Sequence, residues 1–250
     1  MRTYWILTRR ELASFFLSIT GYVIIAGLAL LVGFDIVALL KNQGADPFTM
    51  PVTQLFFNNL LLWIVIVLTT PIISMRLFAL EKATGTFETL MTTPVGDVQI
   101  VAAKFSAAVI FFIVMWLPSL ACLFIVQHFA NQPGALDKGT LLSMYLGVFL
   151  AGCLFLSIGC LASAITRSQV LAGMITLVAG LGLLILNWVT QSISPNGQWQ
   201  TQVWSFFNLS QQMIDFTRGV LDTRIIIYYL SSTFFFLFLT LRVIESRRWK

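Results

Sequence analysis

Residues 105–126 read FSAAVIFFIVMWLPSLACLFIV, a run of 22 residues without one Asp, Glu, Lys or Arg. As a helix rising about 1.5 Å per residue it covers about 30 Å, the hydrocarbon thickness of a bilayer. Five further runs satisfy the same rule, approximately Ile19–Leu40, Leu55–Ile73, Leu141–Ala162, Val170–Val189 and Ile225–Leu241. The last is the shortest because Arg242 stops it, although a long Arg side chain snorkels to the headgroups and extends the usable length. Six spans in one membrane domain, 1–250, are therefore expected.

Composition leads to the same class. Hydrophobic residues make up 58% of the 250 and charged residues only 10%, against about 25% charged in an ordinary soluble domain. A water-facing globule could not be covered with so few. The 22 Phe and 7 Trp also suit a protein whose outer face meets lipid and its interfaces. These runs leave no room for a separate soluble catalytic domain. The expected fold class is an all-α integral membrane protein. The first apolar run begins late and is too long for a signal-peptide core, so no cleaved leader is expected.

The net charge of +5 does not point to a nucleic-acid partner, because the 15 basic residues stand at the ends of apolar runs instead of forming a patch. They read as topology. With an even number of spans both termini share a side, and one side then holds Arg2, Arg9, Arg10, Arg76, Lys82, Lys104, Arg167, Arg242, Arg247, Arg248 and Lys250. The other holds only Lys41, Lys138, Arg218 and Arg224. An eleven-to-four excess places the termini in the cytoplasm by the positive-inside rule.

Three segments outside the spans are informative. Residues 2–18 put Tyr4, Trp5, Leu12, Phe15 and Phe16 on one arc of a helix and Arg2, Arg9, Arg10 and Ser14 on another, the pattern of an elbow lying in the membrane surface. In the cytoplasmic loop 75–104, residues 81–93 form a short amphipathic helix, with Phe87, Leu90 and Met91 on one face, Glu81, Gly85, Glu88 and Thr92 on another, and Pro94 ending it. By spacing alone it reads as a solvated amphipathic connector, with entry of its apolar residues into a groove on a partner as the alternative. Residues 190–224 open with the turn Ser194-Pro195-Asn196-Gly197 and carry Trp199, Trp204, Phe206, Phe207 and Phe216, so structure dipping into the outer interface is expected.

Intramembrane chemistry has little to stand on. Asp35 is the one acid inside a span, and it reads as an acid reaching the outer interface, with a pore- or substrate-facing role as the alternative. Asn58 and Asn59 suit bonds between helices, with a substrate role as the alternative. A serine protease would need a His beside a buried Ser, yet the sole histidine, His128, is expected in an external loop. Ser157, Gly159, Gly147, Ala151, Gly173 and Gly180 read instead as small residues for helix packing. Cys122, Cys153 and Cys160 lie in apolar runs without metal or disulfide spacing and are expected to pack. No Walker-type phosphate loop is present, and no charged relay runs through the spans.

The stretch Glu81-Lys82-Ala83-Thr84-Gly85-Thr86-Phe87-Glu88-Thr89-Leu90, followed by Pro94, resembles the E-[KR]-x-x-G-T-[FL]-E-x-L…P signature between the second and third spans of ABC-2-type transporter permeases. Arg9-Arg10-Glu11-Leu12 through Phe16, then Gly21-Tyr22, resembles the elbow of that family. Phe216-Thr217-Arg218-Gly219-Val220-Leu221-Asp222 with Tyr228-Tyr229 resembles the end of its external segment, and Arg247-Arg248-Trp249 its C-terminus. The likeness is greatest to the gliding-motility (GldF-like) branch, with departures at Gln212-Met213 and Ile225.

The resemblance implies a non-catalytic half-transporter in a bacterial inner membrane. A cytosolic ABC ATPase dimer would bind ATP and Mg and seat the coupling helix, whose contact residues would be Glu81, Lys82, Gly85, Thr86, Phe87, Glu88, Leu90 and Met91. This chain itself would hold no cofactor and no metal. A second copy or a related permease would complete the path, with a possible accessory periplasmic or membrane subunit. Arg9, Arg10 and Glu11 would belong to the elbow, and Trp204, Phe206, Phe207, Phe216 and Arg218 to re-entrant helices forming an outer gate. The alternative is a mechanotransmission or scaffold subunit that passes ATP-driven motion to a partner without moving a solute.

Overall fold

Backbone groups in hydrocarbon must be satisfied within the chain, so apolar runs of this length fold as helices. The computed structural model describes residues 2–43, 60–91, 95–130, 138–192 and 208–248, and all regular structure among them is helical. In chain order the helices are α1 (Arg2–Phe16), α2 (Ile19–Gln43), α3 (Leu60–Ser74), α4 (Ala79–Thr84), α5 (Thr86–Met91), α6 (Asp97–Ala130), α7 (Lys138–Ile165), α8 (Gln169–Ser192), α9 (Leu209–Thr217) and α10 (Thr223–Arg248). Among the described residues six stretches are long and apolar enough to cross a membrane, one in each of the six expected places. The protein is an all-α, multi-pass integral membrane protein.

The bundle is organised around α7. Of its span 83% is buried inside the protein, whereas only 17% of the α8 span and 22% of the α10 span are. It packs on α3, α6, α8, α9 and α10. Small residues make this centrality possible, because helices that share a lipid solvent associate through close packing and not through expulsion of water. A Cβ added at Gly152 would lie 2.2 Å from the Phe112 ring of α6, and one at Gly159 would lie 2.0 Å from Ser74 Oγ of α3. Gly180 of α8 meets Val67 of α3 less closely, a Cβ there lying 3.1 Å from it, while Gly173 has only ordinary contact with Met75. Cys153 and Cys160 are buried in this interior and Cys122 is partly covered.

Helix α1 packs along the start of α6. Phe15 stacks on Phe111 with ring centroids 5.0 Å apart, and Tyr4 Oη donates to Ser106 Oγ at 2.9 Å. The chain then turns at Leu17-Ser18 into α2. Gly21 permits that turn, since a side chain there would meet the Phe15 carbonyl oxygen at 2.2 Å. At 34 residues α6 is about 50 Å long, so it outlasts the hydrocarbon and carries its first turns out beside α1.

Three expectations change. The helix expected over 81–93 is two short helices, α4 and α5, separated at Gly85, whose φ of 75° is the left-handed backbone that glycine adopts without strain. His128, expected in a loop, lies in the last turns of α6, because the helix continues past the apolar run. Asp35, expected to reach the outer interface, is buried, because it shares the inward face of α2 with Leu28, Val32 and Ile36. Asn58 and Asn59 lie outside the described residues.

Candidate functional site

On the elbow side of the bundle, a charged cluster joins three elements that are distant in sequence. Lys104 of α6 is almost wholly buried, at 3% exposure, and its Nζ lies 3.0 Å from Glu11 Oε1 of α1 and 2.9 Å from Glu81 Oε1 of α4. Arg10 Nη2 closes the figure at 2.9 Å from Glu11 and 3.1 Å from Glu81. Two cations and two carboxylates thus alternate around a square. Burying an ammonium is costly unless its charge is compensated on all sides, and this arrangement compensates it twice. Lys104 also stands 5.4 Å from the centroid of the Phe78 ring. The Arg10 guanidinium is held above its ordinary value, chiefly by its hydrogen bond to Glu11; burial opposes this, and the nearby charges of Glu11 and Glu81 add to the rise. It stays charged at any physiological pH.

A second tie runs from α4 to the end of α7. The first amides of a helix have no intrahelical acceptor and need one from elsewhere, yet the N-cap residue here is Phe78, which offers none. Ser163 of α7 supplies it: its Oγ accepts from the amides of Phe78 at 3.0 Å and Ala79 at 2.9 Å, and donates to the Met75 carbonyl at 3.3 Å. Lys82 Nζ donates to the Ala164 carbonyl one residue further along α7 and sits over the Phe87 ring. The segment 75–87 is therefore fastened to α1, α6 and α7 at once.

Within this segment the expected contact residues divide. Glu81 and Lys82 are used inside the chain, and Phe87 is buried at 8% exposure, so it turns inward and does not project as an apolar knob. Gly85, Thr86 and Glu88 are exposed, together with Ala83 and Thr84. Leu90 and Met91 lie on α5, and their side chains are outside the described residues. Of the elbow residues, Arg10 and Glu11 enter the charged square, and Arg9 is exposed.

At the opposite end of α7 another short helix is seated. Asn208 caps α9 by accepting from the Gln211 amide at 3.0 Å, and Gly219, with φ of 77°, ends it. Gly147 of α7 lies under the Phe216 ring and Met213 sulfur, which a Cβ there would approach to 2.9 Å and 3.0 Å. Ser143 donates to the Phe216 carbonyl, and Asn187 of α8 exchanges two bonds with Ser210, at 2.7 Å and 3.2 Å. Of the expected gate residues, Phe216 is buried in this seat and Arg218 is exposed at its edge. Trp204, Phe206 and Phe207 lie outside the described residues.

Lys104 and Ser163 were not legible as site residues. In the sequence Lys104 is one more basic residue at a span boundary, and Ser163 one more small residue in an apolar run. The available signal was that a Lys seven residues into a long helix, facing Glu81 and Glu11, must be compensated. Residues 9–209 match the family model described as ABC-2 family transporter protein. No curated protein matches the chain.

Proposed function

The chain belongs to the ABC-2 transporter family, and from that premise we propose that it couples ATP hydrolysis by a partner ABC ATPase to movement of a substrate across the membrane, in the direction of export. Its membership makes it a membrane transport subunit that works with an ATPase. The finer reading rests on one observation: the exposed edge of segment 79–91 is backed by ties to α1, α6 and α7. A push delivered at Thr84, Gly85, Thr86 and Glu88 meets a braced surface, and it is passed to the elbow, to α6 and to the central helix together.

In this reading α4 and α5 form the coupling element and face the cytoplasm, as do both termini of a bacterial inner-membrane protein. Closure of two ATPases around ATP and Mg would displace the element, and two permease copies, or one copy and a related chain, would enclose the path. The apolar character of the spans favours an apolar or amphipathic cargo. Helix α9, at the other end of α7, would be part of the outer gate with Phe216 and Arg218. The gliding-motility branch is the finer family assignment on sequence likeness.

Glu88 tests the docking surface. It is exposed on α5 and makes no ion pair among the described residues, so Glu88→Arg inverts charge without disturbing the bundle. Capture of the ATPase by the purified variant should fall while membrane insertion is unchanged. Undiminished capture would remove this face as the docking surface. ATP turnover stimulated by substrate in proteoliposomes is expected for a transporter and not for a force-transmitting scaffold.

A further inference from the structure

Between α1, the segment 76–86 and the start of α6 lies an open cavity of about 580 Å³, lined by Arg10, Glu11, Ser14, Arg76, Glu81 and Lys104 among others. Its charges do not cancel. Glu11 and Glu81 are each shared by Arg10 and Lys104, which accounts for both acids. Arg76 is left over. No described acid pairs with it, and its bonds run from Nη1 alone, to Thr20 Oγ1 at 2.6 Å and Ser18 Oγ at 3.4 Å. The two hydroxyls, 2.5 Å apart, hold the guanidinium in place without neutralising it. The rest of its planar fork of donors is available to a ligand, and a guanidinium fork matches a phosphate two bonds at a time.

The surroundings of this cation say what kind of phosphate it meets. Ser18 is flanked by Leu17 and Ile19, which are 85% and 82% exposed, and the outer side of α1 presents Trp5 and Ile6. Apolar side chains this exposed on a membrane protein lie against acyl chains, with the polar elbow at headgroup depth. A soluble anion has no use for that apolar rim. A lipid does.

We propose that Arg76, oriented by Ser18 and Thr20, binds the phosphate of an anionic phospholipid from the leaflet on the elbow side, with the headgroup in the cavity and the acyl chains against Leu17 and Ile19. The site stands beside the Arg10–Glu81 pair, so an occupying lipid touches the same segment that the elbow braces. It does not depend on the transport reading.

The test is lipid retention by the full-length chain released from phosphatidylcholine nanodiscs containing phosphatidylglycerol, read by native mass spectrometry. Arg76→Gln should bind the retained phosphatidylglycerol about tenfold more weakly, the scale of one lost charge-assisted phosphate contact. Arg76→Lys should lose less, and Arg9→Gln, which removes an exposed charge outside the cavity, should retain it as the parent does. Should Arg76→Gln fail to insert, the paired Ser18→Ala and Thr20→Ala substitutions read the same site and should also weaken retention. Equal retention by parent and Arg76→Gln, or equal loss in Arg9→Gln, would overturn the site. Release of the lipid by inorganic phosphate at matched concentration would overturn its assignment to a lipid.

Discussion

The two ends of α7 each hold a short helical segment, and they hold it by different means. At the elbow end, Ser163 and the Ala164 carbonyl bind segment 75–87 through donors and acceptors, and the charged square of Arg10, Glu11, Glu81 and Lys104 fastens it to α1 and α6. At the far end, α9 rests on Gly147 through the Phe216 ring and Met213, helped by Ser143 and Asn187. The first joint depends on charge pairing, the second mainly on shape. Under the proposed function the first would take a load from a soluble motor, which strong, directional contacts suit, and the second would yield to open a path, which contacts that slide suit. Helix α7 lies between them, the most buried span of the bundle, and is the natural strut.

The largest expected effect comes from breaking the charged joint. Lys104→Met leaves two carboxylates in a largely buried site with only Arg10 to face them, and should cost about 3–5 kcal/mol, measured by denaturant unfolding in detergent. Adding Glu81→Gln should recover part of that loss, which a packing defect would not. Breaking the shape-based joint should cost less. Gly147→Leu drives a side chain into Phe216 and Met213 for about 1–3 kcal/mol, and a cysteine at Met213 should then become reactive to a thiol reagent. Gly85→Ala is smaller again: nothing stands within 4 Å of the added Cβ, so only the left-handed backbone is penalised, by about 1–2 kcal/mol. Glu88→Arg, on the outer face, should change unfolding by less than about 0.5 kcal/mol while reducing ATPase capture. A larger stability loss would show that Glu88 belongs to the joint and not to its surface.

The spans were legible because crossing hydrocarbon imposes a length, and each apolar run of about 20 residues can satisfy it in one way. Helix α1 and the segment 79–91 were legible from amphipathic spacing. What that spacing could not show was which neighbour an amphipathic residue faces. Phe87 has the pattern of a docking knob and is buried against this chain. Asp35 looked like an interfacial acid, and its helix face turns it inward. Gly85 read as part of one continuous helix, although its backbone divides that helix in two. Lys104, Ser163 and Arg76 escaped because their meaning lies in partners 56 to 93 residues away, at Thr20, Met75 and Glu11.

Under the proposed function the braced segment and α9 communicate through α7. The most direct measurement of this uses a fluorophore at Gln211, exposed on α9, in the complex with the ATPase reconstituted in a bilayer. ATP should change the signal in the parent protein. In Ser163→Ala, which removes the acceptor for the first amides of α4 and leaves only the Lys82 bond to the Ala164 carbonyl, the change should shrink while ATPase binding and ATP turnover persist. An undiminished response in that variant would contradict coupling through α7.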